Sequence, residues 1–385
     1  MAGRFSVTMW EFSWLVRRDG AEAEYADWDR VLDELVERGY DCVRIDAFPH
    51  LVADGPDGRR VERFTVLPQA AHFMWGNHER VEVAPRAGLV EFARKARDRG
   101  VRLGLSTWFN DDSTHRAAAV VTVDDYARIW GETLALLDGE GLLDSVLWVD
   151  LCNEWPLGEW ARGAFPLIFG AAASDPASLL TRPWSDQEAR AVGSYFDAIR
   201  PLKARYPHLR FTFSFAPIGT DKLFRLDTDP FDVVETHIWL STDSPDFTAR
   251  TAFIPVLGGA PGALQRHVDL VDEAYWPDRD HWLADLSRAM DAWAAWAAER
   301  KLPLITTEGW ASVLYEDLSV PSGRAPWDYV KDVGEAAARL AIEKGWEGIC
   351  TSNFAQPHFP GMWADAAWHR GVNDVIHAHV ATVER

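Results

Sequence analysis

Two β-type runs in this sequence end on carboxylates. Residues 147–158 read LWVDLCNEWPLG, an apolar stretch that stops at Asn153-Glu154 with Trp155 and Pro156 directly behind. Residues 303–310 read PLITTEGW and present Glu308 in the same way. Two carboxyls held about 5–5.5 Å apart across a cavity support double displacement, one attacking as nucleophile while the other serves first as acid and then as base. The residue types and their places at the ends of runs are in the sequence; the distance between them is not. Further polar side chains occupy comparable places: Glu11 in MWEFSW, Arg44 and Asp46 in CVRIDA, Asn110 in STWFN, Glu235 and His237 in VVETHIW, and Asn353 in CTSNF.

Whether these residues can meet depends on the elements that carry them. Eight β-type runs alternate with longer amphipathic stretches: Phe5–Trp10, Cys42–Ala47, Val101–Trp108, Val146–Cys152, Arg210–Ala216, Val233–Trp239, Leu304–Thr307 and Gly348–Asn353. The stretches near 25–38, 87–99, 122–138, 186–205, 282–300 and 327–344 predict helices. Thr122-Val-Asp-Asp and Ser185-Asp-Gln-Glu read as capped helix starts. Within the β-type runs, one parity is large and apolar (Val43, Ile45; Leu103, Leu105; Phe211, Phe213, Phe215) and the other small or polar (Cys42, Arg44, Asp46; Gly104, Ser106; Thr212, Ser214). By the same parity Asp150 and Cys152 point inward, with Asp150 one layer below Glu154 in a structural role. That pattern predicts a single (β/α)8 TIM barrel over residues 1–385, wrapped by helices and polar toward one end. An open doubly wound sheet is the other topology of alternating β and α elements, but no Gly-rich phosphate loop follows the first run.

In such a barrel, active sites sit at the carboxyl ends of the strands. Glu154 then follows strand four and Glu308 strand seven, which are not neighbours in an eight-membered ring and face one another across the mouth. The long interruptions, about 48–86, 156–185 and 240–281, follow strands two, four and six, with 241–281 read as a lid or small inserted subdomain.

Composition removes other classes. The chain is 48% hydrophobic and 25% charged with net charge −20, a globular mixture that repels nucleic acid and anionic lipid. The start, MAGRFSVTMWEFSW, has no apolar segment of signal-peptide length, and no later stretch is long enough to span a bilayer, so a cytoplasmic protein is expected. Cys42, Cys152 and Cys350 lie apart in apolar runs and read as buried small hydrophobes. His50, His72, His78 and His115 fall in loops without HExxH spacing, and no GxSxG elbow occurs. Neither a metal nor another cofactor is expected.

With Asn153-Glu154 after strand four, Glu308 after strand seven, Arg44 on strand two and His237 on strand six, the chain resembles the retaining glycoside hydrolases of clan A. It is most similar to the cellulase-like family 5, across all eight strand positions. The resemblance implies Glu154 as acid/base, Glu308 as nucleophile, Asn153 as a partner of the sugar 2-hydroxyl, and Arg44 as the cation that keeps Glu308 ionised. Physical chemistry asks for the same: a guanidinium cannot be neutralised and lowers a neighbouring carboxyl's pKa, while desolvation and the partner's charge raise that of the acid. The chain departs from the family where Trp239 replaces a usual Tyr, where CTSNFAQP replaces a usual Trp after strand eight, and where Trp108-Phe109-Asn110 replaces a usual His after strand three. It reads as a divergent member.

Twenty tryptophans fall into two groups. Trp293 and Trp296, spaced i, i+3, belong with Trp28 and Trp130 to helix cores. Trp10, Trp108, Trp155, Trp239 and Trp310 stand at strand ends, where an aromatic face can stack on a sugar. Together with Arg44, Asn153, His237, Asp46, Asn110, Glu235, Asn353 and Glu11 they are the expected substrate contacts. The expected activity is that of an exo-acting or small-oligosaccharide β-glycosidase, because a polymer does not enter a cell. An endo-acting β-glycanase of the cellulase or mannanase kind, and a non-catalytic sugar-binding barrel, are the alternatives. The oligomeric state, the sugar and the linkage are not in the sequence.

Overall fold

A computed structural model describes residues 3–70, 75–216, 218–312 and 318–378; His72 lies outside them. Its central sheet is built from β1 (Phe5–Met9), β2 (Cys42–Asp46), β3 (Arg102–Ser106), β4 (Val146–Asp150), β5 (Arg210–Thr212 and Ser214–Phe215), β6 (Val234–Thr236 and Ile238–Trp239), β7 (Leu304–Thr306 and Gly309–Trp310) and β8 (Gly348–Cys350). Every pairing in it is parallel. The first half of β5 pairs with β4 through Thr212 and Asp150, and the second half pairs with β6 through Ser214 and Glu235. One strand thus bonds to both ends of the sheet and closes it into a (β/α)8 barrel.

The eight expected runs are all present, seven of them shorter and the seventh extended to Trp310, and three are broken near the mouth. The breaks have local causes. Asp150 reaches from β4 and accepts the backbone N–H of Ser214 at 2.8 Å, so the ladder is interrupted where a side chain takes its place. In β7 the hydroxyl of Thr306 donates to the carbonyl of Glu308 at 3.0 Å, turning the chain at Thr307-Glu308 before pairing resumes as Ile238 with Gly309 and Trp239 with Trp310.

The lower barrel interior is filled by Phe5, Val7, Cys42, Leu147, Trp148, Val233, Ile305 and Cys350. Trp148 needs room on β3: a Cβ on Gly104 would lie 2.1 Å from its ring, so only glycine is accommodated there. Outside, the helix Val123–Gly139 starts at a reciprocal capping box, Thr122 accepting from the Asp125 N–H and Asp125 from the Thr122 N–H, and buries Tyr126, Ile129, Trp130, Thr133, Leu134 and Leu137 against the barrel. Ser185 and Glu188 form the second expected box, at the helix Asp186–Ser194. Trp28, Trp130, Trp293 and Trp296 are core residues, and all three cysteines are buried and unpaired. Cys152, expected inward, belongs instead to the outer core, because the chain leaves extended geometry after Asp150 and alternation lapses.

The long connections carry structure of their own. An antiparallel ribbon, Phe64–Val66 with Val81–Val83, follows β2. Short helices Ala164–Phe169 and Pro176–Thr181 follow β4. The segment after β6 is helical at Leu240–Asp243, Pro245–Arg250, Ile254–Leu257 and Ala263–Tyr275. His267 ties it to the loop after β7, one ring nitrogen 2.7 Å from the Thr251 carbonyl and the other 2.6 Å from the Ser312 hydroxyl.

Candidate active site

Arg44 stands at the centre of the barrel's upper interior, fully buried. Its inward parity on β2 places three carboxylates around one guanidinium: Glu308 from β7 at 2.7 Å, Asp150 from β4 at 2.8 Å and Glu235 from β6 at 3.2 Å. It also donates to Asn153 Oδ1 at 2.7 Å and Ser106 Oγ at 3.0 Å, and its guanidinium lies 4.5 Å from the ring centre of Trp108. Burial works against the charge, but Glu235, Asp150 and Glu308 outweigh it and push the arginine pKa further up. A buried cation is tolerated because three carboxylates surround it and both terminal nitrogens of the guanidinium donate to charged or polar acceptors.

Glu154 arrives from the opposite side. Its backbone takes a left-handed conformation, φ 47°, and its N–H donates to Ser214 Oγ at 2.9 Å, which fixes the turn that carries the side chain out of the strand. One carboxylate oxygen lies 3.1 Å from His237 Nδ1, and the other accepts from Trp160 Nε1 at 3.2 Å. The other nitrogen of His237 lies 3.6 Å from Glu235 and 3.7 Å from Glu308. An oxygen of Glu154, an oxygen of Glu308 and a nitrogen of His237 all fall within 4.8 Å of one another. Such a trio of atoms is also the raw material of a cation site, and His237 turns both nitrogens toward carboxylates.

The protonation pattern differs from expectation. Burial raises the pKa of Glu308, and the attraction of His237 and Arg44 does not fully offset it. Burial also acts on Glu154, yet the hydrogen bond and charge of His237 bring its pKa below the ordinary value. His237 is pushed up to about 10: burial opposes its charge, and Glu308, Glu154 and Glu235 overcome that. These directions favour the carboxylate form of Glu154 and the imidazolium form of His237.

The other expected contacts divide. Trp239 is half-buried beside Phe354, ring centres 6.3 Å apart, and Phe354 also meets Trp75 and Trp327, so an aromatic wall gathers on this side of the barrel. Trp10, Trp155 and Trp310 are not brought to the mouth. They are at most 1% exposed and pack outward, Trp10 on Tyr25, Phe92 and Trp363, Trp155 on Tyr126, Tyr195 and Phe213, and Trp310 on Trp346. Trp108 covers Arg44 rather than an open surface. Asp46 accepts the backbone N–H groups of Phe48 at 2.6 Å and Trp108 at 3.0 Å, and so joins two loops. Glu235 lies beneath the pair and accepts from Trp148 Nε1 at 3.0 Å and from the Thr307 hydroxyl. Asn110 accepts from Gln69 Nε2 at 2.8 Å. Glu11 accepts from Ser13, and burial pushes its pKa up to about 8. Asn353 is fully buried, with neither side-chain polar atom partnered among the described residues.

Trp160, Ser214, Phe354, Trp75 and Trp327 had not been singled out. Trp160 and Trp75 lie in long loops, where no periodicity marks a residue. Ser214 carried a signal, since its parity on β5 matches that of Arg44 on β2.

Comparison with known proteins agrees with this fold. A family profile described as sugar-binding cellulase-like matches residues 7–377. A solved structure of a candidate glycoside hydrolase from Parabacteroides distasonis is 30% identical and superposes with a TM-score of 0.82, covering 100% of this chain and 97% of that one. An endo-β-1,4-mannanase from Thermotoga petrophila, 11% identical, has a TM-score of 0.52 over 100% of this chain and 79% of its own. The cellulose synthase subunit Z of Clostridioides difficile, 12% identical, also has a TM-score of 0.52, over 97% and 99%. These last two share the fold. No curated protein matches. On the profile that spans its barrel and the similarity to the Parabacteroides structure, the chain belongs to the sugar-binding cellulase-like family.

Proposed function

We propose that the protein is a retaining O-glycoside hydrolase acting on a β-linked sugar. The observation that carries this is the approach of Glu154 and Glu308 to within 4.8 Å, with Arg44 bonded to one and His237 to the other. That separation is close to the about 5–5.5 Å of retaining pairs and well short of the about 6.5–9.5 Å that leaves room for a direct attack by water. Glu308 attacks the anomeric carbon while Glu154 protonates the leaving oxygen. Glu154 then takes a proton from water, which opens the glycosyl-enzyme. Asn153 gives its carbonyl to Arg44, and this leaves its amide hydrogens for the sugar 2-hydroxyl.

Burial supports action on chain ends or small glycosides. Glu308 is 4% exposed, a depth that suits a pocket receiving one terminal sugar better than an open cleft. Trp239 and the half-buried edge of the aromatic wall are the platform we assign to it. Glu308→Gln and Glu154→Gln are each expected to lower kcat on an aryl β-glycoside by at least about 10³-fold. Near wild-type turnover by either variant contradicts the reading. Release of single sugars from the non-reducing end of oligosaccharides is expected, and internal cleavage products would refute the exo assignment.

A further inference from the structure

Glu235 was expected to touch substrate, but it is fully buried beneath the pair and makes no use of the mouth. Its carboxylate receives the indole N–H of Trp148 and the hydroxyl of Thr307, pairs in charge with Arg44 Nε at 3.2 Å, and has His237 Nε2 3.6 Å away. A carboxylate surrounded by that many donors is stabilised as the anion. Among the described residues it is also the carboxylate outside the reacting pair that faces both cations of the site. We propose that Glu235 is a positioning residue that keeps His237 protonated, so that His237 acts as the proton store from which Glu154 is loaded.

The transfer moves one proton and leaves the heavy-atom bonds intact. His237 Nδ1–H passes its proton over 3.1 Å to Glu154, leaving a neutral imidazole and a carboxylic acid. Glu154 gives that proton to the departing oxygen, later takes one from the attacking water, and returns it to His237. Glycoside binding favours the transfer because it displaces water from around Glu154 and so disfavours its charged form. This rests on the two-glutamate reading above.

The charges that face His237 come from three strands, Glu235 on β6 itself, Glu154 after β4 and Glu308 on β7, and Arg44 of β2 pairs with Glu235 and Glu308. Asp150 acts through Arg44, and Glu11 after β1 acts on Glu308. Among the described carboxylates only Glu235 lies both outside the reacting pair and within 3.6 Å of the imidazole. Its ionised state is supported by a pKa lowered in spite of burial, through Arg44 and His237.

The test reads the ring nitrogens of [15N]histidine-labelled protein by NMR from about pH 6 to about pH 11, with His237→Gln to assign the signal. In the wild type both nitrogens are expected to stay protonated through about pH 9, and in Glu235→Gln the titration is expected at least about two units lower. Glu235→Asp is expected to restore it. The alkaline limb of kcat/KM should move down with the NMR titration, since that limb reports the free enzyme. An unmoved His237 titration in Glu235→Gln, or a loss of rate equal at every pH with the limb in place, overturns the proposal. Should Glu235→Gln not fold, Thr307→Val removes one donor from Glu235 and is expected to shift the titration less but in the same direction; no shift overturns the proposal equally. The titration does not depend on turnover, so a wild type that hydrolyses no glycoside overturns the two-glutamate reading, and the NMR result alone then decides whether Glu235 keeps His237 protonated.

Discussion

Arg44→Met would leave Asp150, Glu235 and Glu308 buried without their shared cation. Breaking a buried ionic cluster by removing one partner costs about 3–5 kcal/mol, and here the remaining carboxylates take up protons to lessen the penalty. The expected result is a lower melting temperature that recovers partly on acidification, together with loss of turnover. Arg44→Lys keeps the charge but cannot reach Glu308, Asp150, Glu235 and Asn153 at once, so stability should recover more than activity. Equal recovery of both would mean that only the charge of Arg44 matters. At this scale the gathering of Glu154, Glu308, Arg44, Asn153 and His237 is legible in the sequence, since strand position restricts where each can stand. It misleads for Trp10, Trp155 and Trp310. Parity decides which way a side chain points only while the backbone stays extended, and Glu11, Glu154 and the turn at Thr307-Glu308 lie where it does not.

The strands place these residues through packing below the site as well as by register. Gly104 on β3 makes room for Trp148, and Trp148 donates to Glu235, so a small residue on one strand sets the height of a carboxylate on another. Gly104→Ala is expected to cost about 1–3 kcal/mol through overpacking and to displace Glu235. A thermal melt and a pH–rate profile check both effects, and an unchanged profile would show that Glu235 is held without Trp148. Farther out, Thr122→Ala removes one half of a capping box and is expected to cost about 1 kcal/mol with no change in turnover. Elements of this kind were readable because caps and alternation are local. The interruption of β5 was not, because it depends on the Asp150 side chain meeting the Ser214 N–H across two strands.

For the whole molecule, buried acids and the histidine set the pH range. Glu11 is raised to about 8, Asp46 to about 7 and Asp150 to about 6, each chiefly by burial, and His237 is raised to about 10 against burial by its carboxylate neighbours. A folded-state pKa above the unfolded value gives stability that is complete below the unfolded pKa and lost as pH rises through the folded one. All four therefore favour the fold in mild acid and progressively cease to do so toward pH 10, as the net charge of −20 also grows. Glu188, lowered to about 2 chiefly by Arg182, acts oppositely and defends the fold until strongly acid pH. The melting temperature is expected to be highest near about pH 5–6 and to fall steadily on the alkaline side. A flat or rising melting temperature between pH 7 and about pH 10 would contradict this distribution of charge. Among the described residues no helix is long and apolar enough to cross a membrane.

The central claim is that Glu308 forms a covalent bond with a sugar, and the most direct measurement is to trap it. Incubation with 2-deoxy-2-fluoro glycosides carrying a good leaving group, over a panel of sugars and both anomers, should inactivate the protein. Peptide mass mapping should then place one glycosyl group on the segment containing Glu308, and Glu308→Gln should remain unlabelled. A label on Glu154 or elsewhere, or hydrolysis of a glycoside in the panel with inversion at the anomeric carbon, would contradict the account.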